Sequence, residues 1–229
     1  MRILPSVVDS ISAWVAWSQR NRVVSVHSPA RVNLGSSLRV AQGWANLDGS
    51  PIAFIASLPR PIVAMSYRVS GVGKSVARDQ YVDVLTTNRF VHHRLERRLP
   101  FGDDTVDNIF AGEVFEHLSV HVAHCVLRES RRVLKPGGAI RICVPDLQCA
   151  IEEYLAGQKQ EALGFFLYDN GRGGLSAHKS MWDYGLLEEA ARAAGFSSVR
   201  RCTSRSGRTP DLGVLDAWPG KTMLFIEAE

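Results

Sequence analysis

The sequence predicts a doubly wound α/β fold, in which helices cover both faces of a mostly parallel sheet. Three observations support this prediction. The chain has 229 residues, of which 45% are hydrophobic, and this is enough for a sizeable core. From residue 31 onward, short apolar runs alternate with segments of helical periodicity. Glycine and proline turns separate these segments. One globular domain, residues 1–229, is therefore expected.

The predicted elements follow in order along the chain. Apolar side chains at helical spacing predict an amphipathic helix over residues 6–19, within an N-terminal extension, residues 1–30. Seven strands are predicted at 31–34, 45–47, 90–95, 106–111, 139–144, 199–202 and 222–227. Four helices are predicted at 120–134, 150–154, 158–166 and 184–194. The KPGG run at 135–138 is typical of a helix stop followed by a turn.

Two stretches are longer than this alternation requires and are predicted to be insertions. Residues 51–89 separate the second strand from the third, and the sequence leaves open whether they cover a pocket or face a partner. Residues 147–183 follow the fifth strand. Ligands of open α/β sheets bind outside the carboxyl ends of the strands, so the second insertion is expected on the substrate side.

Composition and charge exclude several classes of protein. The formal net charge is +4, but the basic residues are scattered, whereas nucleic-acid binders concentrate them on one face; no nucleic-acid partner is expected. Four cysteines without a CxxC motif favour reduced thiols and a cytoplasmic location. No signal peptide or bilayer-spanning segment is expected, although the apolar stretch at 51–65 leaves a peripheral membrane contact open.

Four sequence runs indicate the function. They are NLGSS with GWANLD (33–48), RRLPFGDDTVDNIFAGEVFEHL (97–118), LRESRRVLKPGGAIRICVPDL (127–147) and WDYGLLEEAARAAGF (182–196). In this order they resemble the class I S-adenosylmethionine-dependent methyltransferases, and most closely the methyltransferase type 11 group, which is often associated with sugar and polysaccharide pathways. The resemblance covers residues 31–228. It implies a seven-stranded Rossmann-like sheet with the last strand antiparallel, and S-adenosylmethionine as cofactor.

The resemblance also implies where the cofactor binds. In this family a loop reading LGSG or LGCG wraps the methionine part of the cofactor, and an acid at the end of the second strand binds the ribose. Asp48 matches that acid, and it follows Gly35 too closely for a dinucleotide fingerprint, which needs about 20 residues and further glycines. The residues expected to bind the cofactor are Asn33, Gly35, Ser36, Asp48, Leu95, Gly112 and Glu113.

This sequence departs from the family pattern at three positions. Ser37 replaces the second loop glycine, at a cost of about 1–2 kcal/mol if its φ is positive. Arg94 replaces an Asp that reads the adenine amino group, and Arg offers only donors. Adenine recognition then passes to backbone groups near Leu95, or Arg94 simply turns outward. Glu113 stands where the family often has His; a helix N-cap is its alternative role.

Three residues are candidates for a catalytic base. Asp146 ends the fifth strand on the substrate side, His178 follows a glycine run typical of a mobile lid, and His117 stands at the start of a helix. Structural hydrogen bonding is the alternative for both histidines. His117, His121 and His124 have the spacing of a metal-binding stripe, but the helix phase turns the last two toward solvent, so no metal site is predicted.

The leading hypothesis is O-methylation of a sugar, a glycoconjugate or another small-molecule hydroxyl, as in polysaccharide biosynthesis. The expected partner is this small-molecule or glycan acceptor. The alternative is a non-catalytic interaction module that keeps the methyltransferase fold, because Ser37 and Arg94 replace cofactor-favouring residues. The N-terminal helix leaves a homodimer open, since it could pack on its own sheet or on a second chain.

Overall fold

The computed structural model describes residues 24–25, 30–73, 76–166, 177–216 and 222–229. The predicted N-terminal helix at 6–19 lies outside them. Among the described residues, seven strands form one sheet: β1 (Arg31–Leu34), β2 (Ala45–Asp48), β3 (Arg89–His92), β4 (Val106–Gly112), β5 (Leu134–Pro145), β6 (Val199–Cys202) and β7 (Met223–Ala228).

The sheet confirms the predicted architecture. Its strand order is β3-β2-β1-β4-β5-β7-β6. Strands β1 to β5 are parallel, and β7 is antiparallel to both of its neighbours. The order reverses between β1 and β4, and such a switch point opens a crevice at the carboxyl ends of the strands where ligands bind. The loops after these two strands therefore contain the candidate site.

Helices cover the sheet between the strands. The described helices are α1 (Pro51–Ile55), α2 (Arg60–Ser70), α3 (Arg78–Thr87), α4 (Val120–Val133), α5 (Leu147–Leu155), α6 (Lys159–Phe166), α7 (Tyr184–Ala193) and α8 (Leu212–Leu215). A 3-10 turn, Phe115–His117, precedes α4. None of the helices within these described segments is both long and apolar enough to cross a bilayer.

The start of β5 differs from the prediction. The sequence predicts that the KPGG run forms a turn before the strand, but β5 already begins at Leu134, which pairs with Val106. The register then shifts, so that Asn108 pairs with Ala139. The extra residues form a bulge, in which Gly137 adopts φ +76°, a backbone conformation that favours glycine. The turn chemistry is present, but it lies inside the strand.

Residues 51–89 fold into the three helices α1, α2 and α3 between β2 and β3. They pack around their own apolar cluster, centred on Val63, Tyr81, Val82 and Leu85. Their outer face leaves Met65 and Val69 each 72% exposed. The predicted insertion is therefore an ordered helical crossover.

Helix α4 confirms the phase that the sequence predicts. Its buried side chains are Ala123, Val126, Leu127, Ser130 and Val133, and His121 is exposed as predicted. The prediction is wrong for His124, which is half-buried with its ring centroid 6.4 Å from that of Trp182. Ser119 caps the helix by accepting from the Val122 N–H. Helix α4 thus packs one face against the sheet and starts at the carboxyl end of β4.

Candidate functional site

The loop after β1 folds back over the end of β2. The N–H groups of Gly35 and Ser36 both donate to the Leu47 carbonyl, at 2.8 and 3.3 Å. Gly35 adopts φ +61°, and a β-carbon there would lie 2.4 Å from Cγ2 of Val114. The left-handed backbone and the close approach both require glycine at this position.

The departure at Ser37 is accommodated by Asp48. Ser37 adopts φ +47°, so the predicted cost of about 1–2 kcal/mol applies. Its N–H donates to Oδ2 of Asp48 at 2.6 Å. A hydrogen bond to a charged group contributes about 1.5–3 kcal/mol, which offsets the strain. The loop therefore keeps its left-handed turn without the second glycine.

Asp48 organises two loops at once. It is the last residue of β2 and is 7% exposed. Besides the Ser37 contact, its Oδ1 accepts from the Ser50 N–H at 2.7 Å. An ionised carboxylate offers about four acceptor positions, so both oxygens keep capacity for ligand hydroxyls after these two backbone contacts.

Asn33 supports the loop from below. It is buried within β1, and its Nδ2 donates to the Arg39 carbonyl at 2.8 Å and to Oδ1 of Asn46 at 3.1 Å. These contacts tie the loop to β1 and β2. The structure therefore gives the Asn33 amide group a positioning role, although the sequence predicts a direct cofactor contact.

Arg94 lies on the loop after β3, and its side chain forms an ion pair within that loop. Its guanidinium pairs with Glu96, 2.9 Å from Oε1. Burial alone would raise the pKa of Glu96, but the hydrogen bonds from Arg94 hold it below the usual value. The Leu95 side chain is buried in the main core, so only its backbone remains for the predicted adenine contact. Strand β3 ends at His92, three residues earlier than predicted, because the chain turns here.

His93, on the same loop, leads to a pH prediction. Its Nε2 is buried without a hydrogen-bond partner, and burial lowers its pKa to about 4. An unfolded histidine takes up its proton near pH 6.5. The unfolded state therefore binds more protons between these two pH values. The free energy of unfolding therefore has its full value, as far as His93 is concerned, above about pH 6.5. It falls by about 1.4 kcal/mol per pH unit from there toward about pH 4.

Between about pH 7 and pH 4.5, we expect the free energy of unfolding of the wild-type protein to fall by about 2–3 kcal/mol more than that of the His93→Gln variant. Urea unfolding of both proteins at the two pH values measures this difference. Because all other acid-labile groups are shared, equal losses in the two proteins would contradict the prediction.

Gly112 and Glu113 end β4 beside the glycine loop. Gly112 pairs with Cys143 of β5, and the Glu113 N–H donates to the Cys143 carbonyl at 2.9 Å. Glu113 is exposed and adopts φ +51°. The alternative role as a helix N-cap is wrong, because the 3-10 turn begins after Val114 without a side-chain cap and α4 is capped by Ser119.

Residues 177–182 lie across the turn that follows β4. The N–H groups of Lys179 and Ser180 donate to the Glu116 carbonyl, at 2.7 and 3.2 Å. The Ser180 hydroxyl also donates to the Leu118 carbonyl at 2.9 Å. These contacts fix the segment against the 3-10 turn and bring a histidine from each of them together.

The two predicted histidines, His117 and His178, meet with ring centroids 5.1 Å apart at 61°. His117 is the last residue of the 3-10 turn and not the first of a helix, because α4 begins only at Val120. Burial lowers the pKa of His117, and the neighbouring His178 and Lys179 lower it further. His117 is therefore neutral near pH 7 and can accept a proton.

Glu116 is the residue that sequence reasoning missed. It is 1% exposed, its Oε2 has no hydrogen-bond partner, and burial raises its pKa to about 8. One ligand atom from each of Glu116, His117 and His178 lies within 4.8 Å of the others. The only signal in the sequence is its place beside His117, four residues after the end of β4.

Asp146 has a different environment from the histidines. It follows β5 and caps α5, because its Oδ1 accepts from the Gln148 N–H at 3.1 Å. Its Oδ2 accepts from the Arg201 guanidinium at 2.6 Å, and the side chain is 2% exposed. Proton abstraction by Asp146 would compete with both contacts, so the geometry favours His117 and His178 as bases.

The comparisons with known proteins agree with these motifs. Residues 50–142 match the family model described as a methyltransferase domain. Demethylmenaquinone methyltransferase of Bacillus velezensis is 30% identical over 118 residues, which are 51% of this chain and 48% of that protein. Residues 50–142 therefore carry a methyltransferase domain match, and this is the similarity that the sequence motifs predict.

The extent of these similarities differs between relatives. The methyltransferase chain matches about half the length of the Bacillus velezensis protein. A solved SAM-dependent methyltransferase from Archaeoglobus fulgidus is 12% identical, with a TM-score of 0.47, and the match covers 99% of this chain and 95% of that one. One from Thermotoga maritima is 14% identical, with a TM-score of 0.47, and covers 98% and 90%.

S-adenosylmethionine is the cofactor that the sequence motifs imply, and two orphaned hydroxyls of the described residues fit it. Ser36 Oγ and Ser50 Oγ are buried without a hydrogen-bond partner, one on each of the two loops that Asp48 holds. Leaving a buried hydroxyl unpaired costs about 1–3 kcal/mol. A ligand with ribose hydroxyls and a charged amino-acid part would offer partners to both. The residues present therefore fit the cofactor.

Proposed function

We propose that this methyltransferase moves the methyl group of S-adenosylmethionine to an oxygen of a small-molecule acceptor. One observation carries the proposal. The glycine loop, held on Asp48, follows β1, and the His117–His178 pair is held after β4, the strand hydrogen-bonded to β1. A cofactor on the first loop and an acceptor at the histidines would then be neighbours at the switch point of the sheet.

The residues of the chain have three tasks in this reaction. S-adenosylmethionine, when bound, supplies an activated methyl group. The loops after β1 and β4 align the two reactants and exclude water, and such positioning is the main source of rate in displacements that need little covalent help. The imidazole of His117 or His178 takes the proton of the acceptor hydroxyl, which typically contributes about 10²–10⁴-fold.

The acceptor that we propose is a small cyclic molecule with hydroxyl groups. The type 11 resemblance favours a sugar or a glycoconjugate, whereas the name of the Bacillus velezensis relative assigns a demethylated quinone to that protein. Both classes present oxygen atoms on a ring. Sugars and reduced quinones are therefore the first two acceptor sets to test, with methyl transfer from labelled S-adenosylmethionine as the readout.

Cofactor binding is the first test. We expect the wild-type protein to bind S-adenosylhomocysteine with a micromolar Kd in calorimetry. Asp48→Asn should weaken binding by at least about tenfold, because each lost charge-assisted hydrogen bond costs about 1.5–3 kcal/mol. Asp83→Asn is the matched control, since Asp83 is an exposed acid paired with Arg60 on the helical crossover. Its affinity should equal that of the wild type.

The non-catalytic alternative makes the opposite prediction. An interaction module with a degenerate site would leave S-adenosylmethionine and S-adenosylhomocysteine unbound although the protein is folded. Such a result with the wild-type protein would overturn the proposed function.

A further inference from the structure

We propose that Glu116, His117 and His178 form a binding site for a divalent transition-metal ion such as Zn²⁺. No metal site is predicted from the sequence, because its spacing pattern links His117 only to histidines that follow it closely in the chain. The structure brings His117 to His178 instead, together with a buried carboxylate, and one ligand atom from each lies within 4.8 Å of the others. This inference goes beyond the proposed function, because metal binding does not depend on methyl transfer.

Backbone carbonyls orient both imidazoles toward metal binding. Nδ1 of His117 lies 3.3 Å from the Ala177 carbonyl, and Nδ1 of His178 lies 2.6 Å from the Phe165 carbonyl. A carbonyl only accepts, so each ring carries its proton on Nδ1 and has its lone pair on Nε2. Histidines that ligate metals commonly donate their other ring N–H to a carbonyl in this way, and that contact fixes the tautomer and the ring orientation.

Glu116 supplies the oxygen ligand of the site, and its carboxyl group would release its proton when a metal ion binds. The Glu116 side chain is almost completely buried, and its Oε2 is one of the few buried carboxylate oxygens in the described segments that has no hydrogen-bond partner. Burying a carboxylate costs free energy unless the group forms an ion pair or coordinates a metal. The backbone around it is fixed, because its carbonyl accepts from Lys179 and Ser180. The oxygen is therefore held beside the imidazoles.

The set of donors defines the class of ion. Two imidazole nitrogens and one carboxylate oxygen favour zinc and its first-row neighbours over Mg²⁺ or Ca²⁺, which prefer oxygen ligands. Metal–ligand bonds of about 2.0–2.2 Å place the ligand atoms roughly 3–3.5 Å apart, so binding would contract the cluster by about an ångström. Three protein ligands leave a coordination position open.

The open position has a consequence that rests on the proposed function. An acceptor oxygen bound there would be held beside the glycine loop, and the metal would lower the pKa of its hydroxyl. In the metal-bound state His117 and His178 would be ligands and not bases, so the metal would replace them in promoting deprotonation and the proton would pass to solvent.

The test is titration of metal-free, full-length protein with Zn²⁺ by calorimetry and with Co²⁺ by visible absorption. We expect one ion per chain for the wild type, with a Co²⁺ ligand-field band. Glu116→Gln and His178→Asn should each weaken Zn²⁺ binding by about 100-fold or more and remove the band. His121→Ala is the matched control, because His121 is an exposed histidine four residues after His117 in the sequence, and its affinity should equal that of the wild type.

Two results would overturn the metal site. One is the absence of stoichiometric Zn²⁺ binding by the wild type, and the other is an unchanged affinity in both Glu116→Gln and His178→Asn. Melting temperatures without metal show that the variants fold, and the near-isosteric Glu116→Gln should not melt earlier, because it removes a buried ionisable group. Binding of S-adenosylhomocysteine in the same samples separates the two proposals: if it persists without metal binding, only the metal site fails.

Discussion

Asp216→Ala is expected to lower the free energy of unfolding by about 3 kcal/mol, because the buried Arg141 guanidinium loses its nearer counter-charge and keeps only Glu227, whose Oε1 lies 4.0 Å away. Asp216 pairs with Arg141 of β5, and both side chains are 0% exposed. The same carboxylate also accepts from the Arg205 N–H at 3.0 Å and contacts the Cys143 thiol at 3.2 Å. A single truncation therefore leaves several groups without their acceptor.

Arg141 connects the sheet to the chain that follows β6. Its guanidinium donates to the carbonyls of Thr203 and Ser206, at 2.8 and 3.0 Å, and lies over the Phe225 ring, 5.1 Å from its centroid. These contacts are geometrically fixed, so the arginine cannot swing out to solvent when Asp216 is lost. Because the remaining carboxylate, Glu227, is 4.0 Å away, most of the cost of the poorly compensated charge then appears in the free energy of unfolding.

Urea unfolding measures the effect, and two variants control it. Asp83→Ala breaks an exposed ion pair with Arg60, and such pairs contribute about 0–1 kcal/mol. Adding Arg141→Met to Asp216→Ala removes the poorly compensated guanidinium charge and should recover part of the loss. If Asp216→Ala costs no more than Asp83→Ala, the buried pair does not stabilise the fold as argued.

The elements that the sequence predicts correctly are those with local signals. Strand β1 has the predicted bounds, because an apolar run ends at Gly35, and β6 does too. Helix α4 ends within one residue of its prediction, since the apolar periodicity stops before Lys135. Local periodicity and stop signals are sufficient here because no distant contact competes with them.

Arg141 shows what local signals miss. Within the run AIRICV, an arginine indicates an edge or a solvent-facing position, because arginine is almost never fully buried without a partner. The structure buries it in the interior of the sheet, since Asp216 meets it from 75 residues away. No pattern in the sequence marks that pairing.

The candidate site shows the same division. The sequence predicts Gly35 and Asp48 from family motifs, and it predicts strain at Ser37, but not that Asp48 offsets this strain. His117 and His178 lie in different sequence motifs, so no motif predicts that they meet. Their contact, and the role of Glu116 between them, depend on how residues 177–182 cross the turn after β4, which is a property of the folded chain.

Gly35→Ala is expected to have the second large effect, a loss of about 2–5 kcal/mol in stability together with loss of S-adenosylhomocysteine binding. The positive φ of +61° costs an alanine about 1–2 kcal/mol. The new β-carbon would also lie 2.4 Å from Cγ2 of Val114, and overpacking of this kind costs about 1–3 kcal/mol. Relief requires the loop to move away from Val114, which would pull Ser37 off Asp48.

Two comparisons separate the backbone effect from the steric one. At Gly43, φ is +82° and a β-carbon would meet no atom within 4 Å, so Gly43→Ala has only the backbone cost and should leave cofactor binding intact. A double-mutant cycle with Val114→Ala should show a favourable coupling with Gly35→Ala, because the smaller side chain makes room for the new methyl group. If Gly35→Ala matches Gly43→Ala in both unfolding and calorimetry, the contact with Val114 does not hold the loop in its binding conformation, and Asp48 alone must position it.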